Sequence, residues 1–292
     1  MFVAAAVAHP WKFDPHPDVW VLVLSLAGGY WAAIRRLGPR LAGDGPVVTR
    51  RQLTWFAVGV VLLELSADWP VHDIAEKYLF SVHMAEHTMY SLVIPPILLL
   101  GTPSWLLRWV LGPVLPIVRR LARPVPAALL FNGVLAFTHW PAWVDLTLRS
   151  EPFHLFSHTL LFTTSLVMWL PVVNSDPSLP TLTGPAKMLY LFLQGIVPTV
   201  PAAFLLFADG VVYHHYATVP RLWGLSAVED QQIAGAIMKV GGTMILWGTI
   251  VGVFFRWYSQ SMEHPDRDDL LTWEAVEREL ERTEPVKDPV VG

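Results

Sequence analysis

The stretch from Lys77 to Gly101, KYLFSVHMAEHTMYSLVIPPILLLG, constrains this chain more than any other. It is long and apolar enough to cross a bilayer, yet it carries two histidines and a glutamate. About 20 helical residues cover the roughly 30 Å hydrocarbon core of a membrane, and ionisable groups at that depth usually mark an ion, proton or substrate site. His83 and His87 are four residues apart. On a helix they share one face with Tyr90, and with Glu76 if the helix starts that early. Two imidazoles so placed can chelate one metal ion. A single intramembrane histidine is equally well explained as a packing group hydrogen-bonded to a neighbouring helix, so the reading depends on the other histidines.

Charged residues are 15% of the 292 and hydrophobic residues 53%, against about 25% charge in ordinary soluble domains. The apolar residues fall in long runs rather than narrow stripes, which makes the chain an all-α membrane protein of several spans. The 14 Trp suit interfacial belts. The absence of cysteine excludes disulfides, thiolate metal sites and a cysteine nucleophile, so any metal must bind His, Met, carboxylate or backbone groups. The net charge of -4 hides an acidic tail, since residues 263–292 hold ten acids and four bases and leave 14 acids and 16 bases for the rest. Nothing here forms a basic nucleic-acid surface.

Seven spans are expected, at 19–37, 52–67, 77–101, 126–140, 152–173, 187–208 and 233–257, with 102–125 an interfacial segment. Pro95 and Pro96 must kink or break the third, and Pro198 and Pro201 fall inside the sixth. Lys and Arg concentrate on one set of connections, which puts the N-terminus outside and the C-terminus in the cytoplasm. Residues 1–18 are read as an extracytoplasmic arm containing His9 and His16, residues 19–257 as the seven-helix bundle, and 258–292 as a solvated cytoplasmic tail. Leu270, Trp273, Val276 and Leu280 form a weak amphipathic stripe in that tail.

This topology places ten of the eleven histidines outside or in the outer half of the membrane, with only His264 inside. Packing histidines have no reason to prefer one leaflet. FHLFSH repeats the spacing of HMAEH, so His154 and His158 form a second pair at the depth of His83 and His87, with Glu151 one turn before His154. These pairs, with His139 at the end of span four, can supply imidazoles for one or two copper or zinc ions. Glu64, Asp68, Asp73 and Glu86 are candidates to orient them from behind. His72, His214 and His215 are further candidates, while Met84 is expected to face lipid or packing. Asp230 stands where an N-cap for span seven belongs, and the alternative is a wall of the histidine site or a docking surface.

Three stretches carry a resemblance: HMAEHTMYSLVIPPILLLG, THWP with FHLFSHTLLFTTSLVMWLPVV, and LSAVEDQQIAGAIMKV. Together they resemble the CtaG family of cytochrome c oxidase assembly factors over about two thirds of the chain. The most specific residues are His83, His87, Pro95, Pro96, Asp230, Gln231, Gln232, Gly235 and Met238. The chain departs from the family pattern at Glu86, Ser157 and Lys239, where the resemblance leads one to expect Gln, an acidic residue and Trp. It implies a non-catalytic protein of the bacterial inner membrane that binds copper and aids maturation of the oxidase copper centres. The implied partners are cytochrome c oxidase subunits, a copper-donating chaperone and the lipid bilayer. Two other classes compete. A copper or haem transporter would use the proline-broken helices, and a His-box di-metal enzyme would share the four-residue spacing.

Overall fold

The computed structural model describes residues 9–174 and 176–263. Most of the expected solvated tail, with its amphipathic stripe and His264, lies outside the described residues. Among those residues the fold is all helix, without a strand. In chain order the helices are α1 (Pro17–Arg36), α2 (Gly38–Leu41), α3 (Arg50–Ala67), α4 (Val71–Lys77), α5 (Phe80–Thr88), α6 (Ile94–Gly101), α7 (Ser104–Leu111) and α8 (Leu115–Leu121). They continue with α9 (Pro124–Thr138), α10 (Pro141–Thr147), α11 (Glu151–Trp169), α12 (Gly184–Gln194), α13 (Thr199–Phe207), α14 (His214–Thr218), α15 (Ala227–Ala236) and α16 (Gly242–Glu263). Wide π-turns at Met89–Val93 and Ile237–Gly241 join α5 to α6 and α15 to α16.

Four helical stretches are long and apolar enough to cross a membrane: Pro17–Arg36, Arg50–Lys77, Gly184–Phe207 and Ala227–Met262. Two bent pairs bring the number to six. Phe80–Gly101 meets Ser104–Leu111 at 111°, and Leu115–Leu121 meets Pro124–Thr138 at 86°. The segment expected at the interface is therefore two short helices turned sharply off their neighbours. The remaining expected span is α11, a 19-residue helix whose two histidines and several hydroxyl side chains dilute its hydropathy.

The third expected span is one helix, Phe80–Gly101, with a π-turn inside it. It starts at Phe80, three residues late, because the chain breaks between α4 and α5 at Tyr78 and Leu79. Its prolines stand at N2 and N3 of α6, directly after the π-turn. Pro95 has no N–H to donate and its ring excludes the carbonyl one turn back. That carbonyl, of Ser91, instead accepts from Trp169 Nε1 at 3.0 Å and from the Ser165 hydroxyl, both on α11. A backbone group that hydrocarbon would leave unsatisfied thus docks α11 against the third span.

Close approach of α3 and α6 needs Gly101, where a Cβ would collide with the Phe56 backbone. The Gly101 carbonyl accepts from Tyr30 Oη at 2.8 Å, which brings α1 into the same cluster. Capping boxes start two helices. Thr49 and Gln52 bond reciprocally before α3, and Ser226 and Glu229 do so before α15. The cap expected of Asp230 on its own helix therefore belongs to Ser226.

Candidate metal centre

Four elements carry the histidines to one place. His72 and Glu76 lie on α4, His83 and His87 on α5, His154 and His158 on α11, and His139 closes α9. The break before Phe80 lets α4 fold back over α5. Its partners come from far along the chain: the buried Asp230 carboxylate accepts from the Phe80 and Ser81 amides at 2.8 and 3.0 Å, and Arg221 Nη2 donates to the Tyr78 carbonyl at 2.9 Å. Asp230 is indeed a cap, but of the histidine helix 150 residues earlier.

The two four-residue pairs face each other. Ring centroids of His83 lie 6.0 Å from His154 and 5.8 Å from His158, and His87 Nε2 is 3.2 Å from His158 Nε2. One ligand nitrogen from each of His83, His154 and His158 lies within 4.8 Å of the others. A second group, His72, Glu76 and His154, satisfies the same limit and shares His154. Glu76 Oε1 pairs with His154 Nδ1 and lies 3.6 Å from His72 Nε2. Glu76 is the main residue that the spacing left to a conditional, because the helix holding it is separate from the one holding His83.

Behind these groups, Glu86 Oε1 accepts from His72 Nδ1 at 2.8 Å and from Tyr90 Oη at 2.8 Å. Glu86 is 1% exposed, so its charge is felt with little screening. His139 Nδ1 donates to the Leu135 carbonyl at 2.6 Å, and its ring lies 6.0 Å from that of His87. Its Nε2 is then a bare lone pair. Nε2 of His139 and of His154, and Nδ1 of His83 and of His87, are all buried without a hydrogen-bond partner. Buried polar atoms are rarely left so. Neutral imidazole nitrogens clustered beside carboxylates fit a cation of the imidazole-preferring transition series, with His72, His154 and His139 held in one tautomer by their second nitrogen.

Other expected residues are elsewhere or do different work. Glu151 is exposed at the start of α11, because one turn before His154 the helix has already left the bundle. Asp68 accepts from Trp20 Nε1 and the Trp69 amide, both at 2.7 Å, which ties α1 to α3. Glu64 is half-buried on α3 and has no hydrogen bond to the histidines, with its Oε2 buried and unpartnered among the described residues. Asp73 holds Lys77 and accepts from His16 Nε2 at 3.2 Å. His16 thus belongs to the rim, with its ring 5.3 Å from that of His72, whereas the sequence left it in the arm. His214 is exposed, and His215 Nε2 lies 3.0 Å from the Glu76 carbonyl. In YHHY it is the tyrosines that brace the site, through Tyr213 Oη to the His139 carbonyl and Tyr216 Oη to the Ala75 carbonyl, each 2.9 Å. Met84 is in packing, one of the two places expected of it, buried in the core with Phe80 and Tyr213, and with His83 and His87 it lines a partly open cavity beside the centre.

The DQQxAG stretch is a structural joint. Gln231 accepts from the Val212 amide at 2.7 Å and donates to the Leu205 and Gly210 carbonyls at 3.3 and 3.2 Å. At Gly235 a Cβ would stand 2.9 Å from the Ala202 carbonyl, so α15 crosses α13 only with glycine there. Ser157 accepts from Trp143 Nε1 at 2.9 Å, a contact between α10 and α11.

Three curated mycobacterial proteins resemble the chain. An uncharacterised protein of Mycobacterium leprae is 26% identical over 309 residues, covering 93% of this chain and 45% of its own length. Uncharacterised proteins of Mycobacterium bovis and Mycobacterium tuberculosis are each 25% identical over 289 residues, covering 91% of this chain and 42% of theirs. The chain thus spans less than half the length of these relatives. No solved structure matches it. The sequence profile of the cytochrome c oxidase caa3 assembly factor family (Caa3_CtaG) matches residues 28–260, which takes in every helix of the histidine centre, and the chain belongs to that family.

Proposed function

We propose that this protein is a non-catalytic, seven-span inner-membrane factor that holds copper on His83, His154 and His158 for the maturation of cytochrome c oxidase. The observation that carries the reading is the convergence of those three imidazoles from α5 and α11, with unpartnered buried nitrogens on two of them, His83 and His154, and on the neighbouring His87 and His139. Family membership supplies the oxidase. His87 and His139 complete the inner side of the cluster, and His72 with Glu76 stands at its mouth, where the side chains are 17% and 27% exposed. With the basic connections facing the cytoplasm, the centre opens outward. A copper-donating chaperone and an oxidase subunit are the partners, met in turn at that mouth. Zinc suits the same donors, so the metal is assigned by function and not by geometry.

The test is metal content and optical spectrum of the purified full chain, before and after His83→Ala combined with His158→Ala. Expected is stoichiometric copper in the parent and its loss in the double variant, with oxidase maturation failing in cells. Unchanged copper in the double variant, or none in the parent, sinks the reading.

A further inference from the structure

A second, partly open cavity adjoins the histidine centre between α5, α9, α12 and α16. Its polar groups are unusual for a space beside a metal centre. Among the described residues no Asp or Glu lines it, while Lys239 and Gln194 do. Lys239 lies in the second π-turn and the first π-turn contributes Ser91 and Leu92, so both breaks in regular helix face this space. Single π-turns inside helices often mark functional positions.

Lys239 Nζ donates to Thr199 Oγ1 at 2.6 Å and approaches the Gly195 carbonyl at 3.4 Å, with no carboxylate in its company. Gln194, the neighbour of Gly195, is 2% exposed. Its Oε1 accepts from Asn132 Nδ2 at 2.5 Å, and its buried Nε2, near the Tyr190 hydroxyl, makes no hydrogen bond of good geometry among the described residues. An ammonium with a spare proton and an unused amide N–H therefore stand at one end of a space whose other walls include Leu92, Phe131, Leu135 and Leu246. A cation at this depth is costly unless paired, and an unmade buried hydrogen bond is costly as well.

We propose that this cavity binds a carboxylate with an apolar tail, its oxygens taken by Lys239 and Gln194 and its tail laid along those apolar walls. A metal cation would be repelled by Lys239. A neutral lipid would leave the ammonium uncompensated, and a free phosphate would find too few donors and apolar walls where it needs water. The proposal is independent of the copper reading, although His87 and His139 border both spaces.

The test is native mass spectrometry of the detergent-solubilised full chain with dodecanoate, and with methyl dodecanoate and a short-chain quinone in parallel. Expected is one dodecanoate per chain, bound about tenfold or more tightly than either neutral probe, since a charge-assisted hydrogen bond contributes that much. Lys239→Met loses the bound dodecanoate and Lys239→Arg restores it. Thr243→Phe, which fills the cavity without touching the charge, loses it too. The proposal is overturned if the parent binds no dodecanoate, if Lys239→Met binds it as the parent does, or if a neutral probe binds equally well.

Discussion

Asp230 caps the helix that begins at Phe80, with its two carboxylate oxygens accepting the Phe80 and Ser81 amides. The residue best placed to cap its own helix thus fixes the start of a different one, the helix that presents His83 and His87. Arg221 Nη1 stands 3.8 Å from the same carboxylate and completes the joint.

Both oxygens are in use, so Asp230→Asn should not be the mild change it is at an ordinary N-cap. One of the two amides would face an N–H₂ group instead of an acceptor. Asp230→Asn and Asp230→Ala should each destabilise the protein by about 1.5–3 kcal/mol, the range for hydrogen bonds to a charged group. Thermal melting in detergent measures this. A melting temperature unchanged in Asp230→Asn would show that the amides need only one acceptor.

Glu76, and not Glu151, joins Glu86 as a carboxylate at the histidine centre. Glu76→Gln should weaken metal affinity about 10- to 100-fold, as loss of partners behind metal-binding histidines does, while Glu151→Gln leaves it as it was. Competition titration with a chromophoric copper chelator reads both. Equal effects of the two substitutions would refute the assignment.

Gly235 is required by contact. Gly235→Ala should cost about 1–3 kcal/mol, the usual range for overpacking, because the new methyl meets the Ala202 carbonyl and the Leu206 amide. Gly133, with nothing within 4 Å of a built Cβ, is the control; Gly133→Ala should be neutral or slightly stabilising. If Gly133→Ala proves as harmful as Gly235→Ala, close packing is not the reason for the loss.

Asp176 accepts from Arg108 Nε and Nη2 at 3.1 and 2.8 Å, outside the spans. Those hydrogen bonds, assisted by the Ser178 amide and opposed by burial, hold its carboxyl below the ordinary value of 3.8. A carboxylate depressed on folding contributes stability that is complete above its unfolded value and lost as pH falls through its folded one. The difference in melting temperature between the parent and Arg108→Gln should therefore be constant from neutral pH down to about 5 and shrink below about 4. A difference that persists undiminished at low pH would show that Arg108 acts through packing.

Much of this molecule was determined by its sequence alone. Helical class and membrane residence follow from run length and hydropathy, because backbone groups in hydrocarbon must bond within their own helix. The pairing of His83 and His87, and of His154 and His158, follows from the period of the helix. The loss of a backbone hydrogen bond at Pro95 follows from the ring, but the structure answers it with a π-turn ahead of the prolines and the claim of α11 on the Ser91 carbonyl, not with a break in the helix. What only the tertiary structure decided is which groups stand behind the histidines. Glu76 and Glu151 look equivalent as letters, each a carboxylate near a histidine pair. The break at Tyr78 folds one of them over the centre, and the entry of α11 leaves the other outside. Asp230 meets Phe80 across 149 intervening residues, a pairing that no local pattern encodes, because it depends on where α15 lies after α13 has packed against Gly235.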